Sequence, residues 1–198
     1  MSFWQTRKIR LREAEPDDAE AYQEWRLDSD AMRMLGMVHP PAAQSWLKHL
    51  FDQRTTSSPE DDSYRYIIEN NDKDVVGAIT TLNADRRVGV FAYEVYIAPD
   101  HRRKGYASDA IGLVLRYFFE ELRYQKVNVA LMVENEAAQK LHEKLGFLME
   151  GHLRRMAFTQ GKFSDNQIWG LLDEEWEAKF PHPERIHEQN GKKPFGFK

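Results

Sequence analysis

Between Tyr64 and Pro99 the chain passes three times through β-branched and aromatic residues: YRYIIEN, DVVGAITTL and GVFAYEVYIAP. Asn70-Asn71-Asp72 and Asn83-Ala84-Asp85 interrupt these runs with turn-forming residues. Spacers this short leave room only for tight turns, so the runs are expected to pair as consecutive antiparallel strands. From Ala107 the period changes. Ala107, Ala110, Ile111, Val114, Leu115, Phe118 and Leu122 recur at intervals of three and four, the pattern of an amphipathic helix. A sheet feeding directly into such a helix must bury a face beneath it, which restricts the chain to a mixed α/β (α+β) layered fold.

The flanking segments extend this scheme. Ile9 and Leu11 alternate with Arg10 and Arg12, as in a strand, and Pro16, Asp17 and Asp18 then supply a helix start. Ala19, Tyr22 and Trp25 continue that helix, and a second is expected near PPAAQSWLKHLFDQ with Trp46, Leu47 and Leu50 on one face. RTTSSPEDDS reads as a loop. Beyond the central helix, KVNVALMV is a strand and EAAQKLHEKLG a short helix ended by Gly146. FLMEGHLRRMAF and SDNQIWGLL are two further strands, with TQGKF as their hairpin turn. The expected order is strand, two helices, three strands, helix, strand, helix, two strands, giving about seven strands and four helices. Residues 1–180 form one domain in this reading, and 181–198, with little periodicity, a loosely attached tail.

Bulk properties narrow the function. The 198 residues carry a formal net charge of −4, against the basic excess of a general nucleic-acid binder. The absence of cysteine excludes disulfides, thiolate metal sites and a cysteine nucleophile. No apolar run is long enough to span a bilayer, and the first residues lack a signal-peptide core, so a cytoplasmic protein is expected. His39, His49, His101, His152, His182 and His187 show no ligand spacing, so no metal is expected.

The densest positive charge lies where the third strand of the run hands over to the helix, in EVYIAPDHRRKGYASDAIG. The first amides of a helix lack intrahelical partners and sit at the positive end of its dipole. A glycine there lets the backbone approach an anion, and Gly105 is followed by the small residues Ala107 and Ser108. Arg102, Arg103 and Lys104 add formal charge suited to a diphosphate. Neither the dinucleotide glycine fingerprint nor the Walker lysine loop is present. A basic surface loop capped by glycine remains the alternative on these residues alone.

Arg102-x-x-Gly105-x-Ala107, directly after a strand, resembles the [Q/R]-x-x-G-x-[G/A] signature of the GNAT N-acetyltransferases. VENEAAQKLHEKLGFLMEG is similar to a second segment of that family, with Asn135, Ala138, Leu141, Gly146 and Phe147 in register. The continuation to Trp176 resembles the branch that includes the ribosomal-protein N-terminal acetyltransferases. The resemblance implies a mixed, mostly antiparallel sheet whose two central parallel strands splay apart, with acetyl-coenzyme A as cosubstrate and no metal. It also implies that the main chain of Tyr96 and Ile97 holds pantetheine, while Arg102, Arg103, Lys104, Gly105, Tyr106, Ala107 and Ser108 surround the pyrophosphate. Tyr106 is expected to pack or cover rather than react. Asn135 either bonds the pantetheine or caps the next helix.

For the chemistry, the resemblance implies acetyl transfer to a primary amine, either a small molecule or a protein N-terminus, by direct attack in a ternary complex. Glu94, a carboxylate in an apolar strand, is the candidate base because burial raises its pKa. It shares a face with Tyr96 by alternation, and the alternative is a pair with an arginine. His142 stands where many family members carry a tyrosine that protonates the leaving thiolate; the alternative is a packing histidine. Trp25, Trp46, Trp169, Trp176, Tyr64 and Tyr66 are core or pocket-lining aromatics. EPDD and SPEDD either attract a cation or are ordinary loop charge. A homodimer is left open, and no nucleic-acid or membrane partner is expected. A non-catalytic acyl-CoA-binding module is the rival reading.

Overall fold

The computed structural model describes residues 2–36, 38–43, 45, 47–49 and 62–181. Seven strands form one mixed sheet: β1 (Ile9–Glu13), β2 (Arg65–Asn70), β3 (Val75–Asp85), β4 (Val90–Ile97), β5 (Lys126–Met132), β6 (Leu148–Thr159) and β7 (Lys162–Leu172). Their spatial order is β1-β2-β3-β4-β5-β7-β6, and β4–β5 is the parallel pair. The α-helices whose bounds lie among the described residues are α1 (Ala19–Trp25), α2 (Ser29–Met34), α3 (Tyr106–Arg116), α4 (Glu136–Leu145) and α5 (Asp173–Lys179).

Local chemistry sets the turns. Between β2 and β3, Asn70 Oδ1 accepts from the amides of Asp72 and Asp74, both at 2.9 Å. The β6–β7 hairpin closes on Gln160 and Gly161 with φ of 50° and 73°, the positive pair a type I′ turn demands. The expected turn at Asn83–Asp85 lies later. β3 runs on to Asp85 through an irregularity, and the chain reverses at Arg86–Gly89, where Asp85 Oδ1 accepts from Arg87 and Val88.

The two faces of the sheet carry separate cores. On the front, α3, α4 and α5 pack over Phe91, Tyr93, Val127, Val129 and Leu171. Phe118, in the π-helical turn that extends α3, stacks on Phe91 with ring centroids 3.9 Å apart. Each fully buried side chain of this size contributes about 1.5–3 kcal/mol relative to exposure. On the back, α1 closes a smaller core of Ala14, Ala19, Trp25, Leu47, Ile67 and Ala78. Trp25, Trp169, Trp176 and Tyr66 are core residues, and Trp46 lies outside the described residues.

Three expectations are refined. The first helical segment is two short helices, broken where Asp28 caps α2 through its bond from the Ala31 amide at 3.0 Å. Residues 45 and 47–49 of the second expected helix are helical, and the remainder lies outside the described residues, as do 182–198 of the expected tail. α5, unanticipated, starts where β7 ends, with Asp173, Glu174 and Glu175 in its first turn.

Candidate active site

The parallel strands β4 and β5 pair only at Val90–Lys126, Phe91–Val127 and Ala92–Asn128. Beyond these rows β4 stays with β3 as far as Ile97, and β5 stays with β7 as far as Met132. A gap therefore opens between them. The Ala98 amide donates to the Val76 carbonyl at 2.9 Å, which fixes the phase of the β3–β4 ladder. Glu94 and Tyr96 direct their main-chain groups toward β3, and Val95 and Ile97 direct theirs into the gap. Ile97 thus lies with its main chain on the gap side. The expectation for Tyr96 is corrected to Val95, because side-chain alternation in a sequence does not reveal which edge of a strand its neighbour occupies.

The loop at the mouth of the gap has the backbone of an anion cradle. Arg103 and Gly105 have φ of 65° and 86°, and Gly105 is the N-cap of α3. A side chain at Gly105 would also meet Lys8, whose Nζ lies 2.8 Å from where a Cβ would stand. Arg102, Arg103, Lys104 and Gly105 are exposed, while Tyr106, Ala107 and Ser108 are half-buried in the first turn of α3. Tyr106 packs against the front core. These features fit a pyrophosphate: left-handed backbone at the head of a helix, a glycine without a Cβ, and exposed cationic side chains. Lys8 adds a further charge that sequence reasoning missed, since its Nζ reaches the Lys104 carbonyl at 3.5 Å across 96 positions.

Arg102 is engaged elsewhere as well. Its Nη2 donates to Asp28 Oδ2 at 2.7 Å and its Nε to the Ile97 carbonyl at 2.9 Å. The Tyr96 hydroxyl reaches the same Asp28 oxygen at 3.3 Å. Although burial pushes the Asp28 carboxyl up, the Ala31 amide and Arg102 together hold it below the usual range. The Arg102 loop is thereby tied to the N-cap of α2. Asn135 proves to be a helix cap, its Oδ1 accepting from the Ala138 amide at 3.1 Å.

The two candidate catalytic residues lie on opposite faces of the sheet. Glu94 is on the back with Tyr96, as alternation required. Solvent reaches it, yet desolvation by neighbouring atoms raises its pKa against the opposing charge of Arg65. His142 is on the front and only 2% exposed. Its Nδ1 lies 2.7 Å from the Ala138 carbonyl, which can only accept, so the ring proton sits on Nδ1. Its Nε2 lies 2.9 Å from the Tyr93 hydroxyl, which therefore donates to it. Burial lowers the His142 pKa and outweighs the Ala138 bond, so the imidazole is neutral at pH 7.

A described carboxylate from each acidic cluster is held in an ion pair. Asp18 forms a bidentate pair with Arg12, with both bonds at 2.7 Å. Most of SPEDD lies outside the described residues; Asp62, its last residue, is 1% exposed and held by Arg86, Tyr124 and Tyr64.

Residues 8–148 match the family model of the acetyltransferase (GNAT) domain. The chain belongs to the GNAT acetyltransferase family. It is 34% identical over 177 residues to the N-acetyltransferase YokL of Bacillus subtilis, covering 89% of this chain and 97% of that one. It is 32% identical over 112 residues to the spermidine N(1)-acetyltransferase of Vibrio cholerae, covering 57% of this chain and 65% of the relative. A Vibrio cholerae spermidine N-acetyltransferase, solved with CoA and spermine, superposes with a TM-score of 0.79 at 24% identity, over 86% of this chain and 99% of that one. This GNAT protein is an acetyl-CoA-dependent N-acetyltransferase.

Proposed function

We propose that this acetyltransferase moves the acetyl group of acetyl-CoA to a primary amine of a small aliphatic polyamine, by direct attack in a ternary complex. The observation that carries this reading is the parting of β4 and β5 beyond Ala92–Asn128, which leaves Glu94 on the open side. The likeness to the Vibrio cholerae spermidine acetyltransferase supports the acceptor class.

An aliphatic ammonium has a pKa near 10, so it must lose a proton before attack. Glu94, with a carboxyl pKa raised by desolvation, takes that proton. The nitrogen adds to the acetyl carbonyl, an N–H of Val95 or Ile97 facing the gap stabilises the oxyanion, and collapse breaks the C–S bond, the proton shed by the new amide nitrogen passing to the departing thiolate. His142 acts by position in this scheme. Its one N–H is tied to Ala138 and its Nε2 is filled by Tyr93. Arg102 to Ser108, with Lys8, bind the diphosphate.

The protein also self-associates in this proposal. Leu148, Met149, Leu153, Met156, Phe158 and Phe163 crowd apolar surface onto the β6–β7 hairpin, each at least 40% exposed.

The test is release of coenzyme A thiol with spermidine, spermine, lysine and N-terminal peptides, with the product identified by mass spectrometry. Release with spermidine or spermine and a mass gain of one acetyl is expected. Release only with peptides, or none above hydrolysis, overturns the acceptor assignment.

A further inference from the structure

On the back face beside the gap, the register lays out three rows across β4, β5, β7 and β6. Ala92, Asn128 and Gly170 lie in one, Ala130, Ile168 and Gly151 in the next, and Met132, Asn166 and Leu153 in the third. Glu94, two residues beyond Ala92, is level with Ala130. Ala130 and Glu94 are both exposed, so the middle row is open to solvent, and Ala130 and Gly151 keep it shallow.

Two side-chain oxygens in these rows are buried and have no hydrogen-bond partner: Asn128 Oδ1 and Asn166 Oδ1. A buried carbonyl oxygen without a donor costs about 1–3 kcal/mol, and native structures seldom keep one without a use. Neither residue caps a helix or closes a turn. The nearby carboxylate of Glu150, which lies over Gly170, is already held by Lys126 Nζ, 2.7 Å from each of its oxygens. An amide oxygen with its bonding unfulfilled thus stands on each side of the row that holds Glu94.

We propose that Asn128 and Asn166 determine acceptor specificity, their side-chain oxygens taking N–H donors of an extended amine laid across Ala130 beside Glu94. The two asparagines stand four residues apart in register, roughly 13 Å along the strands. One nitrogen does not serve both, so the site selects an acceptor that carries a second N–H group some distance from the reacting one. A simple monoamine engages only one oxygen and is discriminated against. This inference rests on the reading of Glu94, on the back face, as the base for a polyamine acceptor.

Asn128→Leu and Asn166→Leu test it, with calorimetric titration of spermidine and of n-butylamine into the CoA-loaded protein, CoA affinity and Tm. Each leucine variant is expected to bind spermidine at least tenfold more weakly, with CoA affinity changed less than twofold. Tm should rise, because each change removes a buried polar atom that no protein group satisfies. Asn→Asp at either position keeps an acceptor oxygen and should restore most of the spermidine affinity. Spermidine bound equally by the wild type and both leucine variants overturns this inference alone. A fall in Tm with loss of CoA binding also overturns it, by making the asparagines structural. Wild-type protein that binds CoA but no spermidine overturns the polyamine reading and this inference together.

Discussion

The Tyr93 hydroxyl lies 2.9 Å from His142 Nε2, which joins β4 to α4 beneath the front of the gap. Both side chains are buried, and Phe147 stands edge-on to the imidazole with centroids 4.9 Å apart. Because Ala138 holds the ring proton on Nδ1, this pair is neutral and fully bonded. Tyr93→Phe removes the only donor to Nε2 in that arrangement and should destabilise the fold by about 1–3 kcal/mol, read from urea denaturation. An unchanged midpoint would show that the bond contributes nothing.

The same pair predicts a pH dependence. The folded pKa of His142 lies below its ordinary value near 6.5, so the unfolded chain binds more protons between those two values. Its contribution to stability is therefore complete above about pH 6.5 and is lost as pH falls through the folded value. Thermal melts of the wild type from pH 7.5 to pH 5 should show this loss, and His142→Phe should flatten it. Parallel profiles in the two proteins would exclude His142 as the source.

Glu94→Gln tests the base. Removing a general base typically lowers turnover by about 10²–10⁴-fold. With the Glu94 pKa raised, wild-type kcat/KM should climb with pH through a value above the usual carboxylate range, and the variant should lose that rise. CoA affinity should be retained. A variant with the wild-type profile would remove Glu94 from the mechanism.

Gly105→Val tests the cradle. The position has φ of 86°, and a Cβ there meets Lys8 Nζ. Left-handed backbone costs an L-residue roughly 1–2 kcal/mol, with β-branched residues worst placed. CoA binding by calorimetry should weaken more than about 100-fold, or ~2.7 kcal/mol, while the core remains folded. Retained affinity would refute the role of the loop amides.

Asp62→Ala probes a structural hub. The buried carboxylate accepts from Arg86 Nη2 at 2.6 Å, Tyr124 at 2.7 Å and Tyr64 at 3.1 Å. Arg86 above all, against burial, and then the tyrosines hold its pKa below the usual value. The loss should approach about 3 kcal/mol by denaturant titration, since two tyrosine hydroxyls lose their acceptor. A change below 0.5 kcal/mol, the range of ordinary surface substitutions, would show the hub to be dispensable.

Much of this acetyltransferase was legible before folding. The strands between Tyr64 and Ile97, the amphipathic stripe of α3, and the paired glycine-bearing motifs at Arg102 and Asn135 are local patterns. A period of two, a period near four, or a positive-φ glycine is dictated by neighbours in sequence. α2 and α5 escaped because six or seven residues hold too few turns for a stripe to stand out.

The chain order by itself therefore determined the seven strands with α1, α3 and α4, the side of β4 on which Glu94 stands, and the cationic loop ahead of α3. Only the tertiary structure decided that β4 and β5 part after three pairs, and that Val95 rather than Tyr96 faces the gap. It also decided that Arg102 meets Asp28 across 74 positions, and that Asn128 and Asn166 keep their oxygens unpaired on the back face. These relations depend on how a strand's two edges and two faces are shared among distant segments. Packing and hydrogen-bond closure fix that sharing, and local periodicity does not record it.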